Sequence, residues 1–444
     1  MEIIRSYGGL KFQEELPSPE KPIEDLPPPK NLILPLSDLT GISSRPLVQR
    51  GESVFKGEKV GQDLRNRMTP THSSVSGRVT GIDTYRFVEC GNVLSIFIQS
   101  DGRERWKTKI ASPKSLTDQN PSSLVQQIKE SGVQIIPSES LPQAEGNREE
   151  SVQVEQFVIN GIGQGYAGSM ARRLMVELTS ELHDGIRLIK RVFRPKKIFL
   201  AVNDHHEDVI RAIDGSGLNK EVDVIKLDVY YPLGHPHLLF KRIFDREIPA
   251  PGGSAIDMGV AFIGVDRVIQ VSEAVLFERP MIEQYVTVSG EGVHTPKNLK
   301  VRIGTPLRDL INFCGGFKGD PGRIVLGNPL GGIAQFSLER PVLKDTRWLW
   351  VQPEAKVVRD KYRPCINCGD CVDICPVHVM PNFLGKFCEF CKYEEAAQQY
   401  DLFSCIECGL CSYVCPSRRP MVHFIKMGKW ELSLIGTEDG KRAV

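Results

Sequence analysis

Apolar positions change their period along the 444-residue chain, and each change predicts a different kind of structure. Residues 31–105 carry short runs of alternating valine, isoleucine and leucine with glycines every few residues, which predicts a small antiparallel barrel or sandwich. Residues 156–283 alternate apolar strands with helical patterns, which predicts a parallel sheet covered by helices on both faces. The chain is therefore expected to be a multidomain α+β protein.

The remaining segments differ in how much apolar sequence they carry. Residues 284–350 read as two strands, a turn and a short helix, which is a β-grasp-like pattern. Residues 1–30 are an extended proline-rich arm that we expect to lie along another surface. Residues 106–155 read as a polar linker with one short helical stretch and little core. Residues 355–432 are set apart by their cysteines, and residues 433–444 form a tail.

Charge and composition narrow the function classes. The 56 basic and 55 acidic side chains leave a net charge near +1, which argues against nucleic acid as a partner. The first residues lack the basic start and apolar core of a secretory signal, and no apolar run approaches the roughly 18 to 20 residues that cross a bilayer. We therefore expect no direct membrane span, so that other subunits would hold the protein at a membrane if it works there.

Ten of the twelve cysteines fall between residues 365 and 415, eight of them in the runs CINCGDCVDICP and CIECGLCSYVCP. Without a secretory signal, they are better read as thiolate ligands than as disulfides. Each run reads C-x2-C-x2-C-x3-C-P, the bacterial ferredoxin spacing for a [4Fe-4S] cluster, in which the fourth cysteine binds the other cluster. The predicted ligands of cluster one are Cys365, Cys368, Cys371 and Cys415. Those of cluster two are Cys405, Cys408, Cys411 and Cys375.

Alternatives stay open for the cysteines. Pairs of the form C-x2-C also suit tetrahedral zinc, so two zinc sites compete with the two clusters. Cys388 and Cys391 would share a helix face one turn apart and suit a third metal or a redox dithiol, while plain helix thiols explain them as well. Cys90 and Cys314 are expected to be small buried apolar side chains. Two neighbouring clusters without an obvious nucleophile or acid–base group predict an electron relay, so no catalytic residue is assigned.

A glycine-rich turn after the first strand of the α/β segment invites comparison with a dinucleotide-binding fingerprint. Read from Gly161, the glycines run G-x-G-x-G through Gly163 and Gly165, with Gly168 beyond them. No acidic residue ends the next strand at the expected distance, which favours a close helix–strand turn. Four downstream histidines are expected to be solvated loop residues rather than metal pairs. They are His205, His206, His235 and His237.

Residues 31–105 resemble the hammerhead of lipoyl and biotinyl carrier domains. The carrier pattern GxxVxKGxxV and a later SGxV are matched by residues 51–60 and 76–79. Those carriers display a modifiable lysine near the position of RMTPTH, whereas no lysine lies here between Lys59 and Lys107. The resemblance therefore implies a barrel-sandwich hybrid domain with a structural role.

Over nearly its whole length the chain resembles the C subunit of the Rnf membrane electron-transport complex. The order of parts matches, with residues 284–350 as an SLBB unit, and so do the segments LPLSDLTGISSRPLVQRGESVFKGEKV, YYPLGHPHLLFKRIFDREIPAPGGSAIDMGV, PMIEQYVTVSGEGVHTPKNLKVRIGTP and LGNPLGG. The resemblance implies an oxidoreductase subunit of a membrane complex that couples ferredoxin oxidation to ion translocation. In most members of that family the C subunit binds FMN and NADH and carries two clusters, so the resemblance implies these cofactors.

Two departures from that family lie in the α/β segment. The family's glycine-rich GxGGAGFP loop corresponds to residues 131–147, where Gly132 is followed by bulky and polar residues. A backbone cradle for phosphate needs amides that approach without Cβ atoms, and this loop does not supply it in that form. The acids of the family's NGAECEPY turn are replaced by Gly163 and Gly165, although residues 172–175 fit again. We therefore expect a scaffold that has lost NADH and FMN.

The sequence thus predicts an iron–sulfur subunit that relays electrons between a low-potential donor such as ferredoxin and partner subunits, without NADH. Basic residues within 187–197 and 417–429 are candidates to dock an acidic ferredoxin or partner domain, with solvated helix faces as the alternative. One rival is an FMN flavoprotein subunit that still exchanges electrons with NADH, as in ferredoxin:NAD or cobalamin reductase relatives. The other is a scaffold or carrier whose hammerhead is modified and whose clusters are structural.

Overall fold

A computed structural model describes residues 4–6, 8–11, 21–37, 42–65, 68–108, 120–135, 154–163, 169–249, 252–359 and 361–438. The strands are β1 (Ile4–Ser6), β2 (Gly9–Lys11), β3 (Ile23–Asp25), β4 (Asn31–Pro35), β5 (Arg45–Pro46), β6 (Ser53–Val54), β7 (Lys59–Gln62), β8 (Thr71–His72), β9 (Gly77–Phe87), β10 (Gly91–Ser100), β11 (Gln156–Asn160), β12 (Lys197–Asn203), β13 (Asp223–Leu227), β14 (Val260–Gly264), β15 (Glu283–Ser289), β16 (Lys297–Arg302), β17 (Pro321–Leu326), β18 (Ile333–Ala334) and β19 (Trp348–Pro353). The helices are α1 (Pro121–Glu130), α2 (Ser169–Glu177), α3 (Thr179–Phe193), α4 (Glu207–Ser216), α5 (Pro236–Phe244), α6 (Val265–Leu276), α7 (Leu307–Phe313), α8 (Asp370–Asp373), α9 (Pro381–Glu389), α10 (Tyr393–Tyr400), α11 (Leu410–Tyr413) and α12 (Met421–Glu438).

The first unit is built from two antiparallel sheets. One has the strand order β4-β10-β9-β6, and the other has the order β5-β7-β8. Successive side chains of a strand point to opposite faces, and the inward set, which includes Val54, Val79 and Ile96, is almost fully buried. The small antiparallel barrel predicted from the alternating sequence is therefore present.

A parallel sheet with the order β13-β12-β11-β14 forms the second unit. Phe157 and Ile159 of β11 pack into the core that contains α3 and α6, whereas Val158 packs into the core that contains α5. Gly185 lets α3 approach α6 closely, because a Cβ at this position would lie 2.1 Å from the backbone oxygen of Val268. The sheet is covered by helices on both faces, as the alternation of strands and helices predicts.

A six-stranded mixed sheet with the order β18-β17-β19-β15-β16-β3 forms the third unit. Its edge strand β3 comes from the N-terminal arm and pairs in parallel with β16. The backbone amide of Leu26 then donates a hydrogen bond to the carbonyl oxygen of Lys300 at 2.9 Å, and the Leu26 side chain is buried in the core beneath α7. The described part of the arm thus lies along another domain and extends its sheet.

The segment between the barrel and the parallel sheet contributes more core than its composition predicts. Within residues 106–155, expected to be a linker with little core, α1 buries Leu124 and Ile128 against the α/β unit, and Val133 and Ile135 are buried after it. The expectation is wrong for this stretch because a 10-residue amphipathic helix needs only one apolar face to join a core that other segments build.

Residues 361–438 form a helical unit that carries both cysteine runs. Its core packs α9 against α12 through Leu384, Cys388 and Ile425. It meets the third unit at two close backbone contacts. A Cβ at Gly331 would lie 2.7 Å from the carbonyl oxygen of Glu407, and a Cβ at Gly409 would lie 2.1 Å from that of Leu330. The helical unit is therefore seated directly against the segment LGNPLGG.

The tip of the barrel, where related carriers display their lysine, is tied to the rest of the chain. Lys344 Nζ donates hydrogen bonds to Thr69 Oγ1 at 3.0 Å, to the Pro70 carbonyl at 2.9 Å and to the Gly132 carbonyl at 2.9 Å. Gly132 itself packs here, since a Cβ at this position would lie 2.9 Å from Lys344 Nζ and 3.0 Å from the Pro70 oxygen. A tip held in this way does not swing, which fits a structural role for the barrel.

Replacing Lys344 by Met should loosen this junction. The substitution keeps the length of the stem but leaves two backbone carbonyls without their donor, which costs about 1–3 kcal/mol. We expect a lower midpoint of thermal denaturation and faster proteolysis near the tip. Lys318→Met, at an exposed lysine, is the matched control and should leave both unchanged. An equal midpoint of thermal denaturation for the two variants would mean that the Lys344 contact does not contribute to the stability of the protein.

Candidate iron–sulfur centres and the cavity of the α/β core

The first group of thiols surrounds a small cavity at the surface of the helical unit. Cys365 and Cys368 lie on an exposed loop, Cys371 lies in α8, and Cys415 comes from the second run; all four line the cavity. The thiol of Cys371 is within electrostatic range of the other three. Gly369, with φ +86, makes the turn that ends the loop and begins α8.

The second group is related to the first by the internal repeat. The thiol of Cys411 is within electrostatic range of those of Cys405, Cys408 and Cys375, the last of which belongs to the first run. Cys371 also lies within range of Cys411, so the two groups are neighbours. The structure therefore brings together the eight thiols in the two sets that the spacing predicts, each completed by a cysteine of the other run.

In the described residues, no three of the eight thiols have their sulfurs within 4.8 Å of one another. Four thiolates around one zinc at about 2.3 Å lie roughly 3.8 Å apart, whereas each thiolate of a cube binds a different iron and lies farther from its neighbours. Among the described residues, the one set of three possible ligand atoms within 4.8 Å of one another is Asp204, His205 and Asp228, all exposed.

The two groups differ in exposure and in nearby charge. Residues 361–368, which include Cys365 and Cys368, are all exposed. The second group lies beneath the segment LGNPLGG, where Lys426 Nζ donates to the Gly331 carbonyl at 2.7 Å and Lys429 Nζ donates to the Cys405 carbonyl at 2.6 Å. Burial and nearby cations both act on the potential of an iron–sulfur cluster, so clusters bound at the two groups would not be equivalent.

Burial makes the inner thiols poor acids. It raises the pKa of Cys371 to about 11 and that of Cys408 to about 12. Thiols of this kind are neutral near pH 7, and binding to iron must displace their protons. A few backbone amides already point at sulfur: that of Glu407 donates to Cys405 Sγ at 3.4 Å and that of Asn367 donates to Cys365 Sγ at 3.5 Å. Such donors stabilise thiolate charge in a loaded site.

The remaining cysteines do not form a third site. Helix α9 ends at Glu389, and Cys391 has φ +57, so the prediction that Cys388 and Cys391 share one helix face is wrong. Cys388 is buried against α12 while Cys391 is exposed. Cys314 is fully buried, as expected for a small apolar side chain, whereas Cys90 is half-buried near the turn between β9 and β10.

A cavity of about 410 Å³ opens where the carboxyl ends of β11 and β14 meet, at the paired residues Asn160 and Gly264. Crevices at this edge of an open α/β sheet are where such folds bind ligands. The other walls come from Glu89, at the β9–β10 turn, and from the third unit between residues 326 and 348. Three domains therefore enclose one cavity, and only its α/β wall was singled out by sequence.

The charged residues of this cavity are arranged in internal ion pairs. Arg340 Nη2 lies 3.0 Å from Glu89 Oε1, and Arg347 Nε lies 3.0 Å from Asp266 Oδ2. Burial opposes ionisation of Asp266, but the charges of Arg347 and Arg267 outweigh it and hold the pKa of this carboxyl below its usual value. The cavity wall thus contains a buried, ionised carboxylate.

The described residues at this cavity do not fit the phosphate of FMN. Asp266 lies in the first turn of α6, and a Cβ at Gly264 would lie 2.3 Å from Asp266 Oδ1, so a carboxylate already occupies the amino end of this helix. Gly161 serves strand packing instead, since a Cβ there would lie 2.6 Å from the Ala201 oxygen. Gly165, Gly168 and residues 136–150, part of the altered loop, lie outside the described residues.

The histidines differ from their prediction. His206 is buried, and His235 and His237 contact each other edge to face with ring centroids 5.2 Å apart. Burial lowers the pKa of His235 to about 4, so this ring is neutral at physiological pH. The expectation of solvated loop residues fails for His206 and His235 because they are the N-cap residues of α4 and α5, which pack on the sheet. His205 is exposed, as expected.

Several basic side chains proposed for docking are engaged within the chain. Within residues 187–197, Lys190 pairs with Glu221 and Lys196 lies 2.8 Å from Glu155. Within residues 417–429, Arg419 pairs with Glu389, and Lys429 lies 2.9 Å from Glu407. These pairs reduce the positive charge that either segment offers to a partner. The described helices include none with the length and apolar character to span a bilayer.

Three family models match the chain. Residues 4–103 match the RnfC barrel-sandwich hybrid domain, residues 142–273 match the Nuo51 FMN-binding domain, and residues 285–334 match the SLBB domain. The second match, taken with the cysteine-rich segment, suggests flavin and iron–sulfur cofactors for proteins of this architecture. The fold is accordingly a mixed α/β multidomain arrangement that contains these domains.

Similar proteins are found in several bacteria. The C subunit of the proton-translocating ferredoxin:NAD(+) oxidoreductase complex of Clostridium ljungdahlii is 30% identical over 94% of this chain and 92% of its own length. The C subunit of the Na(+)-translocating ferredoxin:NAD(+) oxidoreductase complex of Acetobacterium woodii is 28% identical over 81% of each chain. The C subunit of the ion-translocating oxidoreductase complex of Rhodobacter capsulatus is 31% identical over 81% of this chain and 70% of its own length.

The barrel, the α/β unit and the doubled cysteine repeat define an oxidoreductase subunit of the electron-transfer class. Within that class, the chain belongs to the RnfC family, the C subunits of ion-translocating oxidoreductase complexes.

Replacing one predicted cluster ligand and one cysteine outside both sets should distinguish cysteines that bind iron from those that do not. Cys371→Ser should lower the iron bound after anaerobic reconstitution from about eight to about four atoms per chain, because one cluster loses a ligand. Cys391→Ser changes a cysteine outside both sets and is the matched control. It should still bind about eight iron atoms per chain. Iron and acid-labile sulfide analysis checks both. Equal iron in the two variants would remove Cys371 from the ligand set.

The repeat also provides a matched pair of glycines. Gly369 and Gly409 share the same left-handed backbone, with φ +86 and +82, but a Cβ at Gly369 meets nothing within 4 Å. Gly369→Ala should cost about 1 kcal/mol of backbone strain, whereas Gly409→Ala should also separate the helical unit from Leu330. We expect a larger fall in melting temperature and in cluster-two iron for Gly409→Ala. Equal effects would show that this contact does not hold the unit in place.

Proposed function

We propose that this chain is the electron-relay subunit of an Rnf-type complex and passes electrons through two [4Fe-4S] clusters. The observation that carries the proposal is the pair of neighbouring thiol sets, each completed by the other run. Cluster one would be held by Cys365, Cys368, Cys371 and Cys415. Cluster two would be held by Cys405, Cys408, Cys411 and Cys375. Bound there, the clusters supply one-electron transfer, and the chain's own residues set their exposure and surrounding charge.

The proposal assigns one role to each part of the chain. Residues 355–432 would be a ferredoxin-type domain with two clusters, residues 284–350 an SLBB unit, and residues 156–283 a scaffold related to the FMN-binding domain. The barrel, within residues 31–105, would be structural, since Lys344 ties down the tip that a carrier would move.

Partners follow from the relatives and from the exposed cluster loop. The C subunits of Clostridium ljungdahlii and Acetobacterium woodii belong to ferredoxin:NAD(+) oxidoreductase complexes. By analogy, other Rnf-type subunits would hold this chain peripherally on the cytoplasmic side of the membrane. A ferredoxin-like carrier would exchange electrons with cluster one, because residues 361–368 expose two of its ligands and carry Lys361 and Arg363. Cluster two would then receive the electron from its neighbour.

A second function is favoured by one specific observation, the match of residues 142–273 to an FMN-binding domain. On that alternative the chain is a flavoprotein that exchanges electrons with NADH. The charges at the cavity of the α/β core weigh against it, because the two guanidinium groups that line the cavity, those of Arg340 and Arg347, are each paired with a carboxylate.

Anaerobic reduction distinguishes the two functions. Reduced ferredoxin or dithionite should bleach the cluster absorbance of the reconstituted protein, and NADH should leave this absorbance unchanged. The denatured protein should release no FMN. Rapid bleaching by NADH together with stoichiometric FMN would contradict the proposal and support the flavoprotein.

A further inference from the structure

We infer that the N-terminal hairpin covers cluster two and keeps water away from it. The hairpin consists of β1 (Ile4–Ser6) and β2 (Gly9–Lys11), which pair antiparallel with each other. The inference rests on the proposed pair of clusters, because it assigns Gly8 and Leu10 of this hairpin as positioning residues for one of them. Both residues are far from the cysteine runs in sequence, so only the fold brings them to this site.

Two glycines let the hairpin lie directly on the segment that carries Cys375. Gly8 has φ +69, a conformation that favours glycine, and a Cβ there would lie 2.8 Å from Pro376 Cα and 3.2 Å from the Cys375 carbonyl oxygen. A Cβ at Gly9 would lie 2.4 Å from Cδ2 of the Tyr230 ring. The backbone of the hairpin therefore touches the segment of a predicted cluster-two ligand and leaves no room for water between them at Gly8.

Leu10 supplies the apolar part of the cover. Its side chain is 1% exposed and packs in a small core with Ile374 of the first cysteine run and Leu410 of the second. Cys408 is partly buried against the same core, and Ile374 directly precedes Cys375. One leucine from the amino end of the chain thus packs between two ligand segments of cluster two.

The hairpin is anchored on the α/β core as well as on the helical unit. Leu10 and Tyr231 exchange two backbone hydrogen bonds of 2.9 Å, and Lys11 forms an ion pair with Asp228. The hydroxyl of Tyr231 donates to the Cys408 carbonyl at 2.5 Å. The cover is therefore held in place by contacts on both sides of the junction between the two units.

The cluster-two ligands beside the hairpin are more buried than their equivalents in the repeat. Cys408 is half-buried, whereas Cys368, at the same place in the first run, is exposed. Cys375 is buried, whereas Cys415, at the same place in the second run, is half-buried. Because the members of each pair share one position in the repeat, the difference in exposure comes from the segments that pack on the second set. The hairpin is one of these segments.

Exclusion of water has two consequences for an iron–sulfur cluster. Reduction adds a negative charge that water stabilises, so a covered cluster has a lower potential than the same cluster in contact with solvent. Covered iron also reacts with a dissolved chelator only after the cover opens locally. The hairpin would therefore keep cluster two at low potential and slow its loss of iron.

Anaerobic iron release to bathophenanthroline tests the cover. The unaltered reconstituted protein should lose its eight or so iron atoms in two phases of about four each, with cluster two in the slower phase. Gly8→Val should accelerate the slower phase at least about tenfold, because the new side chain meets the backbone of Pro376 and displaces the hairpin. Gly102→Val is the matched control, since Gly102 has φ +68 and a Cβ there meets nothing within 4 Å. It should leave both phases unchanged.

The outcomes separate this inference from the proposed function. Iron release in a single phase from a protein that holds eight iron atoms or so, or equal slow phases in the two glycine variants, would overturn the cover and leave the relay intact. An unaltered protein that binds no iron–sulfur cluster after reconstitution would contradict the relay itself and the cover with it. The two-phase test uses the unaltered chain and does not depend on how any variant folds.

A redox titration followed by electron paramagnetic resonance then distinguishes a cover from a merely stabilising contact. Leu10→Ser shortens the side chain and adds a hydroxyl that attracts water. It should favour reduction of cluster two at least about threefold, which is about 28 mV at 59 mV per factor of ten for one electron. Leu124→Ser, at a leucine of α1 that is also 1% exposed, should lower the melting temperature without shifting either potential. Unchanged potentials in a folded Leu10→Ser protein would contradict the inference.

Discussion

The exchange of the fourth cysteine between two runs is the constraint on which the rest of the structure depends. Three thiols of each run lie in one loop and short helix, but the fourth thiol of each set comes from the run forty residues away. Each proposed cluster is therefore also a cross-link between the two halves of the helical unit. The short helices α8 and α11, each of 4 residues, have little apolar surface of their own, so metal binding would contribute directly to folding.

The contacts between domains extend this constraint outward. Gly409 places the second cysteine loop against Leu330, and Tyr231 joins that loop to the α/β core. The N-terminal arm adds a strand to the third unit, and Lys344 fixes the barrel tip. In this arrangement the second thiol set lies against the third unit and the α/β core, while two thiols of the first set, those of Cys365 and Cys368, are exposed. The proposed relay would accordingly have one more exposed centre and one more internal centre.

Local features were predictable from the sequence, and long-range features were not. The cysteine spacing places three thiols of each set together because they lie within seven residues of one run, and the exchange of the fourth comes from the ferredoxin spacing. The barrel and the covered parallel sheet follow from hydrophobic periodicity. By contrast, helix α1 joins a core made elsewhere, α9 ends before Cys391, and the basic segments pair with acids from other elements. Nothing in the neighbouring sequence of Glu89 or Arg340 indicates that they meet at one cavity, because 251 residues separate them.

Anomalous diffraction at the iron edge, on crystals of the reconstituted protein, tests the central claim most directly. The account predicts two neighbouring four-iron centres, with Cys415 bound to the centre held by the first run and Cys375 bound to the centre held by the second. A centre whose four thiolates all come from one run, or single metal ions in place of clusters, would contradict it.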